Sequence, residues 1–249
     1  MSNLNNKLPL SGQSILITGA ARRLGRSMAL AAAKAGANVL IHFNNSSQDA
    51  EDLANQIQAI GQQAWLLQED ISDEKNLALL CENAFAITQV SALINNASIF
   101  HPESFLNTSE ASWREHIQVN LTTPFQLSQA FARNVGRVTT GTIINLLDWR
   151  ALRPGSDHFA YTISKAALAA MTQSLALSLA PNVSVNSIAL GAILPPENEQ
   201  VDASLLDKVP LRRWAKLSEL NSLLIYLLKR PLSLTGQVIH LDGGRHLVK

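Results

Sequence analysis

Residues 14–34, SILITGAARRLGRSMALAAAK, contain the signal that decides the fold. The run SILIT (14–18) is short, apolar and rich in isoleucine, and therefore predicts a buried strand. A turn with Gly19 and Gly25 follows, and then a helical pattern that extends to about Ala35. In this order the three pieces begin a β-α-β unit, whose backbone N–H groups at the helix N-terminus can bind a pyrophosphate.

Six further apolar runs alternate with helical patterns along the rest of the chain. We predict strands at 38–43, 63–68, 91–95, 141–147, 183–189 and 236–241. We predict helices at about 47–60, 109–134, 159–180 and 217–229, and a further helix that begins at a Ser72/Asp73 cap. Nearly continuous apolar runs are typical of a parallel sheet that is covered on both faces. The sequence therefore predicts an α/β fold: a single doubly wound, Rossmann-type parallel sheet of seven strands with helices on both faces, in one domain over 1–249.

Composition excludes several classes of function. Twenty basic and nineteen acidic residues leave a net charge of +1, so no overall field attracts nucleic acid or an anionic membrane. The single cysteine, Cys81, excludes an internal disulfide, and six histidines without a spacing such as HExxH lead us to predict no metal. Because no apolar run has the length of a membrane span or of a signal-peptide core, we expect a cytoplasmic protein.

The end of the second predicted strand bears on the cofactor. An NAD site places a carboxylate about 20 residues after the glycine turn, whereas this chain has no acid there before Asp49. Arg22 and Arg23 add two positive charges in the neighbouring turn, which favours the 2′-phosphate of NADPH. The alternative is a solvated polar loop with two surface arginines. The residues predicted to face this end of the cofactor are Arg22, Arg23, His42, Phe43, Asn44, Asn45 and Ser46.

Residues 145–176 contain the pattern that points to catalysis. Tyr161 and Lys165 are four positions apart on a helical pattern and therefore share one helix face. A phenol with a pKa of about 10 is a poor acid at neutral pH, and we expect the Lys165 ammonium to lower that pKa so that Tyr161 can donate a proton. Asp148 comes just after the fifth predicted strand. Tyr226, in the apolar run LLIYLL, is expected to pack in the core.

The chain resembles the short-chain dehydrogenase/reductase family along nearly its whole length. The glycine turn and the segments that carry the resemblance are LQEDIS (67–72), LINNAS (93–98), QVNL (118–121), YTISK (161–165), VNSIALGAI (185–193) and HLDGG (240–244). Most members have serine where this chain has Asp148. An aspartate there is similar to the pteridine reductase branch, as are TGAARRLGRS (18–27) and NNASIFHP (95–102). The segment DGGRHL (242–247) resembles bacterial dihydromonapterin and dihydrofolate reductases.

This resemblance implies NADPH-dependent reduction of a C=N bond in a pterin, with folates as further candidate substrates. Tyr161, with Lys165 and Asp148, would supply the proton, and Asn120 would hold a water in the relay. Phe100 would stack on the pterin, and Arg23 and Ser98 would also face it. Independently of the resemblance, the irregular stretch 191–216 between the sixth predicted strand and the next helix is expected to cover the substrate. The residues implied to contact the cofactor also include Gly19, Leu24, Gly25, Asp70, Ile71, Asn96, Ala97, Ser98, Lys165, Gly191 and Ile193.

The family also implies pairing between outer helix faces. Residues 166–180, AALAAMTQSLALSLA, contain no charged side chain, and such faces can form a stable interface. We therefore expect a homotetramer.

Two other functions remain open from the sequence. One is a reductase of a carbonyl substrate such as a 3-oxoacyl thioester, against which the lack of serine at position 148 argues. The other is a non-enzymatic NADP-binding redox sensor, which the presence of Tyr161 and Lys165 disfavours. Each singled-out residue also has a purely structural alternative: Asp148 as a turn residue, Phe100 as core, Asn120 as an interior hydrogen-bonding residue and Asp70 as a helix cap.

Overall fold

A computed structural model describes residues 7–135, 140–194, 203–231 and 233–248. The strands are β1 (Ser14–Ile17), β2 (Asn38–Phe43), β3 (Ala64–Gln68), β4 (Ala92–Asn95), β5 (Gly141–Asp148), β6 (Val183–Leu190) and β7 (Val238–Leu241). The α-helices are α1 (Arg23–Lys34), α2 (Ser47–Ala59), α3 (Glu74–Ile87), α4 (Glu110–Ile117), α5 (Thr123–Val135), α6 (Phe159–Leu179) and α7 (Leu217–Leu228).

The seven strands form one sheet in the order β3-β2-β1-β4-β5-β6-β7, and every pair is parallel. The predicted fold class is therefore confirmed. The chain leaves β1 towards one edge of the sheet and returns at β4 on the other side. In doubly wound sheets, ligands bind in the crevice at this reversal, outside the carboxyl ends of the strands.

Both faces of the sheet are covered by helices. Buried side chains of α1, α2 and α7 pack with β1 and β2 in one apolar cluster. On the other face, α3, α5 and α6 contribute to a second cluster around β4 and β5. The central strands are buried on both sides, which explains why their sequences are continuous apolar runs. No helix in the described parts of the chain is long and apolar enough to cross a membrane.

One predicted helix differs in the structure. The expected continuous helix over 109–134 consists of α4, a π-helical turn (Gln118–Thr122) and α5. The turn contains Asn120, whose side chain is bonded to residues outside the helix. Because hydrophobic periodicity cannot detect one inserted residue, the sequence predicted an unbroken helix. Such π-helical insertions frequently occur at functional sites.

Tyr226 was wrongly expected in the core. It is 53% exposed, because α7 buries Leu220, Leu224, Leu227 and Leu228 and thereby turns Tyr226 away. The run LLIYLL is apolar on both sides of the helix, so composition alone did not show which side faces inward.

The predicted substrate loop, 191–216, is described in part. Residues 195–202 lie outside the described residues, and a short 3-10 helix (Ala203–Lys208) precedes the connection to α7.

Candidate active site

The glycine turn packs tightly at the end of β1. A Cβ atom on Gly25 would overlap the carbonyl oxygen of Gly19 and lie 2.9 Å from the Cα of Ala20. Gly19 and Arg23 both adopt left-handed backbone conformations, with φ of 61° and 51°. Arg23 therefore occupies a conformation that favours glycine. Close packing at Gly25 leaves the N-terminus of α1 next to the turn, as a pyrophosphate site requires.

His42, at the end of β2, supports this turn through a hydrogen bond with Gly19. It is 2% exposed, and its Nδ1 accepts a hydrogen bond of 3.1 Å from the Gly19 N–H. Its Nε2 lies 3.1 Å from the carbonyl oxygen of Glu69 and must therefore carry the proton. Burial lowers the His42 pKa to about 4, so the ring is neutral. The structure gives the side chain a supporting position, whereas the sequence had placed it against the cofactor.

The end of β2 combines exposed amides with one carboxylate. Asn44 and Asn45 are exposed, whereas Arg22 Nε lies 3.5 Å from the carboxylate of Asp49. The end of β2 itself carries no acid, but the first turn of α2 brings Asp49 back towards α1 and next to Arg22. Both side chains of this pair are about half exposed, so water screens their attraction.

The loops after β1 and β4 are locked together by hydrogen bonds. Thr18 Oγ1 accepts from the N–H groups of Asn96 and Ala97 at 3.0 and 2.9 Å. The Asn96 amide donates to the carbonyl oxygens of Thr18 and Gly19 at 2.8 and 3.1 Å. Four bonds thus fix the NNA segment beside the glycine turn, at the point where the strand order reverses.

Asn120 connects this loop to α6. Its amide oxygen accepts from the N–H of Ile99 at 2.9 Å and from the hydroxyl of Ser98 at 3.1 Å. Its amide nitrogen donates to the carbonyl oxygen of Ile99 and to the hydroxyl of Ser164, both at 3.1 Å. Protein groups therefore occupy all four hydrogen-bonding positions of the Asn120 amide. A relay water bound by Asn120 remains a proposal, and it would have to use the backbone of the π-helical turn.

Asp148, Tyr161 and Lys165 come together at the carboxyl end of β5. Asp148 ends that strand, and its negative charge acts on the nearby phenol of Tyr161. Lys165, one turn further along α6, donates a hydrogen bond of 2.8 Å to the carbonyl oxygen of Leu146. Its ammonium nitrogen lies 5.7 Å from the centre of the Tyr161 ring. Tyr161 and Lys165 are both buried.

Burial dominates the acid–base properties of these groups. It raises the pKa of Tyr161 well above 10, and the negative charge of Asp148 adds to the rise. Burial also raises the pKa of Asp148, although Arg150 and Lys165 oppose this. The pKa of Lys165 falls to about 8 for the same reason. The pKa of Tyr161 is therefore raised on balance and not lowered as expected, because burial and the charge of Asp148 dominate and sequence spacing does not reveal how far the pair is removed from water.

Aromatic rings cover the outer side of this centre. Phe100 is 49% exposed, so it is not a core residue, and its ring meets that of Tyr161 edge-on at 4.6 Å. The ring of His158 stacks on Phe100 at a centroid distance of 4.0 Å. Asp157 accepts hydrogen bonds of 2.9 Å from both Arg150 and His158. Arg150 also donates its backbone N–H to Asp148 at 2.8 Å.

These residues surround a cavity of about 970 Å³. The predicted residues that line it are Gly19, Arg22, Arg23, Leu24, Gly25, Asn96, Ala97, Ser98, Phe100, Asp148 and Tyr161. Sequence analysis did not single out four further lining residues, which are Pro102, Arg150, His158 and Leu194. Arg150 and His158 were detectable as polar residues between β5 and Tyr161, but the pattern offered no reason to choose them.

The remaining predicted residues lie around the cavity without lining it. His42, Phe43, Ile71, Asn120, Lys165 and Ile193 are buried. Asp70 accepts hydrogen bonds from the backbone N–H and the hydroxyl of Ser72, whereas Asp73 caps α3. A Cβ atom on Gly191 would lie 2.7 Å from the Cα of Asp242, so that glycine is required by packing against the turn after β7.

Comparison with known proteins agrees with this geometry. The family model of the short chain dehydrogenase matches residues 13–205. The crystal structure of FolM alternative dihydrofolate reductase 1 from Brucella canis, complexed with NADP, has 34% identity and a TM-score of 0.89, with 96% of each chain covered. The corresponding NADP complex from Brucella suis has 34% identity and a TM-score of 0.87, covering 95% of this chain and 96% of that one.

Curated relatives carry a different substrate in their names. The 3-oxoacyl-[acyl-carrier-protein] reductase FabG of Staphylococcus aureus is 28% identical over 242 residues, covering 94% of this chain and 98% of its own. FabG of Aquifex aeolicus is 30% identical over 248 residues, covering 96% and 99%. Both sets of relatives are named as reductases, and the substrates in their names differ. The chain is therefore an oxidoreductase that belongs to the short chain dehydrogenase family.

Proposed function

We propose that the protein is an NADPH-dependent pteridine reductase, which reduces a C=N bond in a dihydropterin or in dihydrofolate. The observation that carries the proposal is the buried carboxyl group of Asp148, which lines the cavity together with Tyr161. The amino and ring N–H groups of a pterin can donate hydrogen bonds to a carboxylate. The carbonyl group of a carbonyl substrate can only accept hydrogen bonds, so a carboxylate offers it no partner. The likeness to the FolM structures supports the same substrate class.

The chain fits NADPH at the carboxyl ends of β1 and β4. The glycine turn leaves no room for a Cβ at Gly25, and Arg22 and Arg23 are exposed at the cavity rim. Bound there, NADPH would supply the hydride for the reduction. Arg22 and Arg23 would favour its 2′-phosphate, and the complexes of FolM with NADP support this choice.

Tyr161 is the proposed proton donor. Burial leaves the resting phenol protonated but a weak acid, so donation depends on the Lys165 ammonium and on the nearby Asp148 carboxyl group, from which the lost proton can be replaced. The raised pKa of Asp148 makes that carboxyl group hold a proton more readily than an ordinary aspartate. Lys165, anchored on the Leu146 carbonyl, supplies a positive charge that stabilises the phenolate formed during donation.

Phe100 forms the proposed stacking surface for the pterin. An aromatic face that is half exposed at a cavity rim favours a planar ring. His158 already stacks on this ring at 4.0 Å. A pterin therefore either occupies the other face of Phe100 or displaces His158. Arg23 and Ser98 line the same cavity and would contact the polar edge of the substrate.

The second candidate is reduction of a 3-oxoacyl thioester, which the similarity to the two FabG proteins favours. Spectrophotometric assays with NADPH separate the two functions. Loss of the NADPH absorbance is expected with dihydrobiopterin, dihydromonapterin or dihydrofolate. Consumption of NADPH with a 3-oxoacyl thioester, and with none of the pterins or folates, would establish the second function instead.

We also propose that the protein is a cytoplasmic homotetramer. The support lies in the outer faces of α5 and α6, where Phe125, Leu175 and Leu179 line an apolar groove of about 340 Å³. Leu177, on α6, is 84% exposed. Exposed apolar side chains on two neighbouring helices commonly mark an interface between proteins.

A further inference from the structure

Arg150 lies beside the proposed proton donor, although the proton transfer described above gives it no role. It belongs to the 3-10 helix Trp149–Ala151, which follows β5 directly. Its side chain is 18% exposed, and it lines the catalytic cavity together with Asp148 and Tyr161. Because burying a charge is costly unless the charge is paired, the position of this guanidinium requires a physical reason.

The turn after β5 brings Arg150 next to the carboxyl group of Asp148. Asp148 caps the 3-10 helix, and its Oδ1 accepts from the Arg150 N–H at 2.8 Å. An aspartate at the start of a helix commonly accepts from a backbone N–H in the first turn, so local structure keeps the two residues together. Nη1 of Arg150 lies 3.6 Å from the same oxygen atom. This distance is long for a hydrogen bond but gives a strong electrostatic attraction away from water.

Three further contacts hold the guanidinium in place. Nη2 of Arg150 donates a hydrogen bond of 2.9 Å to Asp157. Burial opposes the ionisation of Asp157, but the hydrogen bond and the charge of Arg150 lower its pKa to about 2. The guanidinium carbon lies 4.8 Å from the centre of the Trp149 ring and 5.8 Å from that of Phe100. One carboxylate and two aromatic rings therefore fix the position of the charge.

This position leaves one donor of the guanidinium unused. Nε of Arg150 is buried and has no hydrogen-bond partner among the described residues. An unpaired buried donor lowers stability, so hydrogen bonding alone does not explain why the side chain lies here. The placement does provide a positive charge next to Asp148 and next to Phe100, whose ring meets that of Tyr161 edge-on.

The charge of Arg150 differs from that of Lys165 in its dependence on pH. Burial lowers the pKa of Lys165 to about 8, so its ammonium loses charge in mildly alkaline solution. A guanidinium stays charged throughout this range. Burial raises the pKa of both Tyr161 and Asp148, and the charge of Arg150 opposes the rise in each of them. Arg150 is thus a permanent cation beside both acid groups.

We propose that Arg150 is a positioning residue for proton donation, which holds the Asp148 carboxyl group in place and keeps a permanent positive charge beside Asp148 and Tyr161. This inference rests on the proposed role of Tyr161 as proton donor, and it does not depend on which substrate is reduced. A fixed cation stabilises the phenolate that remains after donation and thereby offsets part of the effect of burial.

Removal of this cation has a defined effect on its neighbours. The other charged or titratable groups that face the two acids or the guanidinium are Lys165, Asp157, His158 and Arg245. Loss of one positive charge favours the protonated form of every neighbouring group. The alkaline limb of the pH profile therefore moves to higher pH whichever of these groups governs the rate.

The pH dependence of the reaction tests this inference. We would measure kcat/KM between about pH 6 and pH 10 for the native enzyme, Arg150→Met and Arg150→Lys, with whichever of dihydromonapterin, dihydrofolate and a 3-oxoacyl thioester the native enzyme reduces. Arg150→Met should lower kcat/KM at neutral pH at least about 10-fold and move the alkaline limb to higher pH by about one unit. Arg150→Lys keeps a positive charge and should move the limb by less.

Arg153→Met is the matched control. Arg153 is half-buried in the same connection between β5 and α6, but its side chain donates to the His246 carbonyl oxygen. Its removal should leave the alkaline limb at the native pH. A loss of activity in Arg150→Met without any shift of the limb would assign Arg150 a structural role only and overturn the proposal.

Thermal unfolding gives a second readout, which requires no substrate. Asp148→Asn is introduced into the native protein and into Arg150→Met. The gain in Tm from Asp148→Asn at neutral pH should be larger in Arg150→Met, where the carboxylate has lost a cation, and the excess should shrink towards pH 4. An equal gain in the two backgrounds would overturn the proposal.

The two readouts separate this inference from the proposed substrate. Reduction of pterins by the native enzyme with an unshifted limb in Arg150→Met would refute the role of Arg150 alone. Reduction of the thioester alone, with a shifted limb, would refute the pterin substrate and support the role of Arg150.

Discussion

At the scale of single residues, the buried position of Asp148 lowers the stability of the fold but suits the side chain to proton transfer. Its side chain is 18% exposed, and the loss of hydration exceeds what Arg150 and Lys165 return, so its pKa is raised. A carboxylate in this condition is costly to the folded state. It is also suited to hold and pass a proton, which an exposed aspartate would release.

The stability of the protein should therefore increase when Asp148 is made neutral. Because the pKa is higher in the folded than in the unfolded chain, the stabilising contribution is complete below the unfolded pKa and is lost as pH rises through the folded pKa. We expect Asp148→Asn to raise Tm at neutral pH by a few degrees, about 2–4 °C for each kcal/mol. The difference should shrink towards pH 4. Thermal unfolding at both pH values measures it, and an equal or lower Tm at neutral pH would contradict the burial argument.

Phe100 provides the second test at this scale. Removing its ring should raise KM for a dihydropterin about 2- to 12-fold, which corresponds to the ~0.5–1.5 kcal/mol of an aromatic pair. Phe105→Ala is the control, because Phe105 is 67% exposed and packs on Phe159 outside the cavity. Steady-state kinetics of Phe100→Ala and Phe105→Ala decide the matter. An equal KM in the two variants would remove Phe100 from the substrate site.

At the scale of elements, the π-helical turn positions the site through Asn120. The amide bridges α6 and the loop after β4, and these two elements carry Tyr161 and Ser98. Asn120→Ala would remove the bonds to the N–H and carbonyl oxygen of Ile99 and to the Ser164 hydroxyl, and would leave the Ile99 N–H without a partner among the described residues. At about 1 kcal/mol for each bond, the free energy of unfolding should fall by about 2–4 kcal/mol.

Urea unfolding measures this change. Asn134→Ala is the matched control, since Asn134 is exposed and bonds only within its own helix, to the Ala130 carbonyl oxygen. It should change the free energy of unfolding by less than about 0.5 kcal/mol. If the two variants were equally stable, the proposed bridging role of Asn120 would have to be abandoned.

The sequence predicted elements well where periodicity and a turn residue coincided. The strand at 38–43 and the helix cap at Asp73 lie where they were expected. It failed where a tertiary contact decides the outcome. The π-helical turn depends on Asn120 reaching another loop, and the exposure of Tyr226 depends on which side of α7 meets the sheet. Neither contact leaves a local signal in the chain.

The same limit applies to the site. Spacing placed Tyr161 and Lys165 on one helix face and Asp148 at the carboxyl end of the fifth strand, whereas the family resemblance implied that the three act together. Only the three-dimensional structure shows the direction of the pKa shifts, the hydrogen bond from the glycine turn to His42, and the contacts of Arg150 and His158. They depend on burial and on approach between residues that are distant in sequence.

At the scale of the whole molecule, assembly is testable through the faces of α5 and α6. We expect the native protein to sediment as a tetramer. Leu177→Glu should shift it to a smaller species, because a charge buried at an apolar interface without a partner is costly. Ile60→Glu is the control, at the exposed end of α2 on a part of the surface that we do not assign to an interface. A native protein that sediments as a monomer at micromolar concentration would contradict the expectation.

The central claim is that Asp148 directs the reductase towards pterins. The most direct measurement compares NADPH oxidation by the native protein and by Asp148→Ser, with dihydromonapterin, dihydrofolate and a 3-oxoacyl thioester. We predict that the native enzyme uses a pterin or folate, and that Asp148→Ser lowers kcat/KM for that substrate at least about 100-fold, as for the loss of a proton-transfer group. Activity of the native enzyme on the thioester alone, unchanged in Asp148→Ser, would contradict the account.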